Sequence, residues 1–179
     1  MDKLPELEKI RHSAAHILAA AVKRLYPKAQ LGIGPATEEG FYYDFDNLEI
    51  KEEDFHKIEM IMKELIDKNV KFSKKFVEKS KAKKILEGER YKLQLLDELK
   101  GKISFYTSGE FLDLCKGPHV KSSKEIGAFK LLRLAGAYWK GDSKNKMLTR
   151  IYGTAFKTKE ELAKYLEMLK QAEARNHIK

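Results

Sequence analysis

At 179 residues, 42% of them apolar, the chain is too rich in core-forming side chains to be disordered and can hold one sizeable core, or two small lobes sharing one. Lys and Arg number 36 against 27 Asp and Glu, a formal net charge of +9; such a field suits a polyanionic partner such as nucleic acid, or serves as a solubilising lysine surface. One cysteine excludes an internal disulfide and fits a reducing, cytoplasmic compartment, and no apolar run reaches bilayer length, so neither a membrane partner nor a signal peptide is expected.

In chain order, residues 3 to 26 read as one helix ending before Pro27, with Leu4, Leu7, Ile10, Ala14, Ile17, Leu18, Ala21 and Leu25 forming its core stripe. Residues 29 to 46 read as a hairpin, with turn residues between an apolar strand and an aromatic one. A helix over 52 to 68 buries Phe55, Ile58, Ile61, Met62, Leu65 and Ile66, and residues 70 to 77 alternate as a strand. Short helices over 79 to 87 and 89 to 99 are split at Gly88, and two strands flank Ser108-Gly109. Residues 127 to 139 and 146 to 156 form two more strands around the polar loop 140 to 146. A last helix runs from Thr158 to about 176, with Glu160 and Glu161 favouring its N-terminal end. The pattern is α+β: a mostly antiparallel sheet packed with a long N-terminal helix and further helices.

His12 and His16 stand one helical turn apart, and Cys115 and His119 repeat the same spacing around Gly117-Pro118. At about 100° per residue, the histidine pair lies nearly opposite the apolar stripe. Ala15, Ala19 and Ala20 lie beside it, small enough for another element to approach closely. The helix is expected to have a second face that carries the histidines. Four nitrogen and sulfur donors are a zinc inventory; four protein ligands make a closed structural site, whereas without metal the same groups form an acid–base cluster. Spacing does not separate the two. A generic metallohydrolase fits poorly, because residues 13 to 15, Ser-Ala-Ala, put no acid between the histidines.

The stretches RHSAAH, GIGP…GFYYDF, DLCKGPHV and GAYWKGDSKNKMLTRIYGTAF resemble the editing domain of threonyl-tRNA synthetase. This module, the second additional domain, is shared in diverged form with alanyl-tRNA synthetase and its freestanding relatives. The resemblance runs over essentially the whole chain, and the GAYW…GTAF segment is closer to the threonyl branch. It implies an editing domain over 1–157 and a linker helix over 158–179 leading towards a class II catalytic core that these residues do not include. The expected activity is ester hydrolysis of mischarged seryl-tRNA(Thr) without aminoacylation, a translational-fidelity function. The expected partners are the serine-bearing 3′ acceptor end of tRNA(Thr) and the remaining synthetase domains. The alternative is a zinc-binding tRNA-recognition module with no catalysis of its own.

By that resemblance His12, His16, Cys115 and His119 form the catalytic centre, with His12 deprotonating or positioning water. No cofactor is expected to be required, since the threonyl branch is regarded as metal-independent and the alanyl branch as zinc-dependent; the four donors could still bind zinc. Asp113 shares the strand face of Cys115 and could hold the substrate's α-ammonium. Lys92 and Tyr106 align with family positions near the pocket, Lys92 for the terminal phosphate or departing oxygen and Tyr106 for the adenosine. Gly34 and Pro35 could form a backbone wall that rejects an added methyl. Lys140, Lys144 and Arg150 combine with aromatic neighbours in a composition suited to tRNA. His56 and His177 are expected at the surface.

Overall fold

The computed structural model describes residues 3–178, and the side chains of Leu4 and His177 lie outside what it describes. The chain folds into two antiparallel sheets and five α-helices. A four-stranded sheet has the order β1 (Gln30–Leu31), β2 (Phe41–Asp46), β7 (Met147–Phe156), β6 (Ala128–Tyr138). A three-stranded sheet has the order β3 (Phe72–Val77), β4 (Ile103–Ser108), β5 (Phe111–Leu114). The expected hairpins are present, although β1 is only two residues long. No helix among the described residues is long and apolar enough to cross a membrane.

Helix α1 (Lys3–Leu25) is the keystone. Its stripe packs on β2 and β7 and on α2 (Phe55–Asp67), with Ile10, Ala14, Ile17, Leu18, Ala21 and Val22 at 2% exposure or less. The opposite face is also covered: Ser13, Ala15, His16 and Ala19 are buried. A helix apolar on one side and lined by small and polar groups on the other has to lie between two layers. The expectation of a second face thus holds. Helix α2 contributes Phe55, Ile58, Met62 and Ile66 at helical spacing to the same core.

A smaller cluster joins Ala82 of α3 (Lys79–Ile85), Leu86, Leu96 of α4 (Arg90–Glu98), and Ile103 and Phe105 of β4. The break between the two helices falls at Gly88, whose φ of +89° is a conformation that side chains other than glycine's resist. Helix α5 (Lys159–Ile178) begins where Thr158 Oγ1 accepts the Glu161 amide at 3.2 Å, a capping arrangement, and its first turns rest on β6 and β7.

Candidate functional site

The second face of α1 meets the turn that follows β5. The Cys115 amide donates to the Ser104 carbonyl at 3.2 Å and the Ser104 hydroxyl donates to the Cys115 carbonyl at 2.8 Å, continuing the β4–β5 register past the last strand residue. The chain then reverses at Gly117, whose φ is +82° and whose added Cβ would lie 2.6 Å from the Tyr106 hydroxyl oxygen. Both constraints demand glycine. The reversal brings His119 back beside Cys115 and between the rings of His12 (4.2 Å) and Phe72 (5.2 Å). His12, His16, Cys115 and His119 each present a ligating atom within 4.8 Å of the others.

A hydrogen bond assigns the proton of His12. His12 Nδ1 is 3.1 Å from the Pro118 carbonyl, which only accepts, so Nδ1 carries the hydrogen and Nε2 the lone pair. Ser13 Oγ accepts the Val120 amide at 3.0 Å and shares a hydrogen bond with His119 Nδ1 at 3.0 Å, whose direction follows the tautomer of the ring. Cys115 Sγ sits between the two rings, 3.4 Å from His119 Nε2 and 3.5 Å from His12 Nε2, and accepts the Gly117 amide at 3.2 Å. A continuous chain of contacts results, from Ser13 through His119 and the sulfur to His12.

Burial keeps this cluster uncharged. It pushes the Cys115 thiol up to about 11, and lowers His12 despite the opposing bond to Pro118. His16 is driven well below the ordinary histidine value by burial, then by His12 and Lys92; His119 falls likewise through burial, His16 and His12. Next to these neutral groups stands one buried charge system. Asp113 accepts the Tyr43 hydroxyl at 2.6 Å on Oδ2, pairs with Lys92 Nζ at 2.9 Å through Oδ1, and faces His16 Nε2 at 3.6 Å. Asp113 and Lys92 are 2% and 3% exposed. No directed hydrogen bond reaches Oδ1, so the ammonium alone compensates it.

A cleft of about 220 Å³ gathers the predicted groups: His12, His16, Gly34, Lys92, Asp113 and Cys115 line it, with Pro35 beside Gly34 and with Ile33, Leu95 and Leu114 as apolar lining. Gly34 forms its wall edge-on to Tyr43; an added Cβ would fall 2.1 Å from a carbon of that fully buried ring. Tyr106 lies outside the cleft lining and packs on His119 at 4.4 Å. Lys140 pairs with Glu98, and Lys144 is exposed on the β6–β7 loop. Arg150 is tied into the sheet: it forks onto Asp44 at 2.7 and 2.9 Å and lies 3.8 Å over the Tyr42 ring. None of these three lines the cleft. His56 is exposed, as expected.

Residues 103–152 match the family described as the threonyl and alanyl tRNA synthetase second additional domain. Over 176 residues, 97% of the chain, the sequence is 48% identical to the threonine–tRNA ligases of Staphylococcus aureus strains JH9 and Newman. The family match covers 50 of the 179 residues, from the start of β4 into β7. The chain spans about a quarter of the length of those ligases, 27%.

The four-donor cluster has the chemistry of a metal site. Zinc with nitrogen and sulfur ligands in a tetrahedron has sulfur–nitrogen edges of about 3.5 Å; two here are 3.4 and 3.5 Å, while the four donors together span up to 4.8 Å and would have to close in around an ion. His12 already donates its far nitrogen to a carbonyl, and His16 Nδ1 is buried with no hydrogen-bond partner while Nε2 faces a carboxylate. Both are arrangements that outer partners give to ligating histidines.

Two functional residues escape a reading of the sequence alone. Ser13 anchors His119 through Nδ1, and Tyr43 holds Asp113. The second had a signal: Tyr43 shares strand parity with Phe41 and Phe45, and a hydroxyl in a buried row needs an acceptor.

Proposed function

We propose that this domain hydrolyses the ester joining serine to the 3′-terminal adenosine of threonine tRNA, as the editing part of a threonine–tRNA ligase with no aminoacylation of its own. The observation that carries the reading is one cleft that holds a neutral imidazole, a buried ammonium and a backbone wall together. The chemical need is plain. A pocket discriminates a missing methyl by only about 1–3 kcal/mol, so a synthetase selecting threonine requires a second sieve that admits serine and rejects threonine by size.

His12 is the base. Its Nδ1–H is committed to Pro118, burial keeps it unprotonated near neutral pH, and a water displacing the weak thiol contact at Nε2 would be deprotonated as it attacks the ester carbon. Lys92 supplies positive charge where the ribose oxygen departs. Asp113 is assigned to positioning: three protein partners already engage its carboxylate, which fixes Lys92 and His16. Cys115 acts as a thiol and proton relay with His119. A thiol held up at about 11 is a poor nucleophile, which favours direct water attack over a thioester. The 33–35 segment, backed by Tyr43, is the size-excluding wall. Serine release from pre-charged seryl-tRNA(Thr), measured at high substrate with a chelator present, tests the reading; release no faster than spontaneous hydrolysis by a folded chain refutes it.

A second reading rests on the tetrahedral sulfur–nitrogen spacing: a zinc-stabilised tRNA-binding module without catalysis. Bound zinc in that role would tie the four donors together. Stoichiometric zinc, unfolding on chelation and no ester turnover would establish it. In either case the partners are the tRNA acceptor end and the other synthetase domains, in the cytosol. The division into a domain over 1–157 and a linker helix over 158–179 belongs to the same proposal.

A further inference from the structure

The functional cleft opens sideways into a larger trough, and the two share Leu95, Leu114 and Cys115. The trough holds about 540 Å³, and its remaining walls include Leu99, Lys100, Lys102 and Lys116. Beside it runs β3, an edge strand of the three-stranded sheet. Between residues 68 and 84, on β3 and the segments flanking it, the sequence carries eight lysines and a single acid, Glu78.

On β3 the register is decisive. Phe72, Lys74 and Phe76 share one face. Lys74 lies across from Tyr106, which lies across from Asp113. Phe76 lies across from Ser104, whose backbone bonds to Cys115. Phe76 and Cys115 therefore occupy one rung of the sheet, two strand spacings or about 10 Å apart. Phe76 is 58% exposed, the largest exposure of any aromatic among the described residues. Lys74 Nζ lies 5.2 Å and Lys102 Nζ 6.0 Å from its ring centroid, and Lys74 also reaches the Lys116 carbonyl at 3.1 Å. Among the described residues, Lys74, Lys100, Lys102 and Lys116 pair with no carboxylate, in contrast to Lys140.

We infer that this trough and the β3 face are the track for the unpaired 3′ strand of the RNA, with Phe76 as the stacking platform for a base upstream of the reacting nucleotide and Lys74, Lys100, Lys102 and Lys116 on its phosphates. The inference rests on the hydrolase reading for its direction, since the strand must end in the cleft. An exposed aromatic set among unpaired lysines is the chemistry that single-stranded nucleic acid recognises, because every base offers a π-face and every nucleotide a phosphate. It moves the RNA contact away from Lys140 and Arg150, which are already paired with Glu98 and Asp44, to the unpaired lysines along the trough, whose wall also includes Glu98.

The test uses uncharged RNA, so that it does not depend on hydrolysis. Binding of the 179-residue chain to a short RNA duplex with an unpaired 3′ tail is compared with the same duplex blunt-ended, by fluorescence anisotropy over a salt series. Tight binding of the tailed form is expected, with F76L weakening it roughly 5- to 150-fold, the range for one lost base stack, and F76W retaining it. K102A should weaken it and flatten its dependence on salt. Since Phe76 is exposed, both variants should fold, which circular dichroism checks. Equal affinity for tailed and blunt duplexes, no measurable binding by the unmodified chain, or an F76L variant as tight as the parent each overturns the inference, even if seryl-tRNA is hydrolysed. Conversely, the expected pattern without ester turnover upholds the track and refutes the hydrolase.

Discussion

The Lys92–Asp113 pair offers a quantitative check on the architecture. Both side chains are nearly sealed, at 4% and 2% exposure, so solvent does not screen them. Replacing Asp113 by Asn leaves Lys92 as an uncompensated buried cation, and replacing Lys92 by Met leaves the Asp113 carboxylate with only Tyr43 and His16. Each should cost about 3–5 kcal/mol, out of a total stability of about 5–15 kcal/mol. For a chain of this size that corresponds to a loss of roughly 6–20 °C in Tm. The double variant removes both charges, leaves the introduced amide oxygen able to accept from Tyr43, and should lose less than the sum of the single losses by a coupling of about 2–3 kcal/mol. Urea unfolding followed by circular dichroism on the four proteins measures it. Additive losses, or single variants within about 0.5 kcal/mol of the parent, would refute the picture of a mutually dependent buried pair.

Acidification should destabilise the fold between about pH 6.5 and 5, above the range where carboxylates titrate. His12, His16 and His119 have lowered values when folded, so the unfolded chain binds protons first, and stability present above the unfolded histidine value is lost as pH falls, by up to about 1.4 kcal/mol per pH unit per group. Unfolding at pH 7.5 and 5.5 reads the sign, and unchanged stability would count against three buried neutral imidazoles. Alkylation of Cys115 should be slow at pH 7.5 and accelerate towards pH 11; rapid labelling at neutral pH would mean a thiolate, contrary to the assignment. Zinc should bind with release of the thiol proton and inhibit ester hydrolysis, because four protein donors leave no open position for water; stimulation by zinc would overturn that expectation. Gly34→Ala should cost about 1–3 kcal/mol through overpacking against Tyr43 and reduce serine release; a fully stable, fully active variant would show that the wall can yield.

Periodicity carried much of this structure into view. His12 and His16 fall off the apolar stripe of α1 by simple angle, and the alternation of β5 places Asp113 with Cys115. What stayed hidden depends on partners remote in sequence. Arg150 looks like a free cation next to a basic loop until β2 pairs with β7 and delivers Asp44, 106 positions away, to its fork. Ser13 reads as a small spacer between histidines, and only the returning turn at residues 119 and 120 gives its hydroxyl two bonds to make. An aromatic in a strand reads as core, so Phe76 gives no local sign that its face is left open to water.

Tyr43 touches two functions at once: its ring backs the Gly34 wall and its hydroxyl holds the Asp113 carboxylate. Under the proposed function, selectivity and reactivity are therefore inherited as a single trait. A lineage that enlarged the pocket by shifting residues 33–35 would disturb the ion pair in the same step, and one that retuned the ion pair would reshape the pocket. Relaxing the sieve without weakening the catalyst requires a coordinated repacking around one aromatic ring, a narrow path for drift towards hydrolysing the cognate ester.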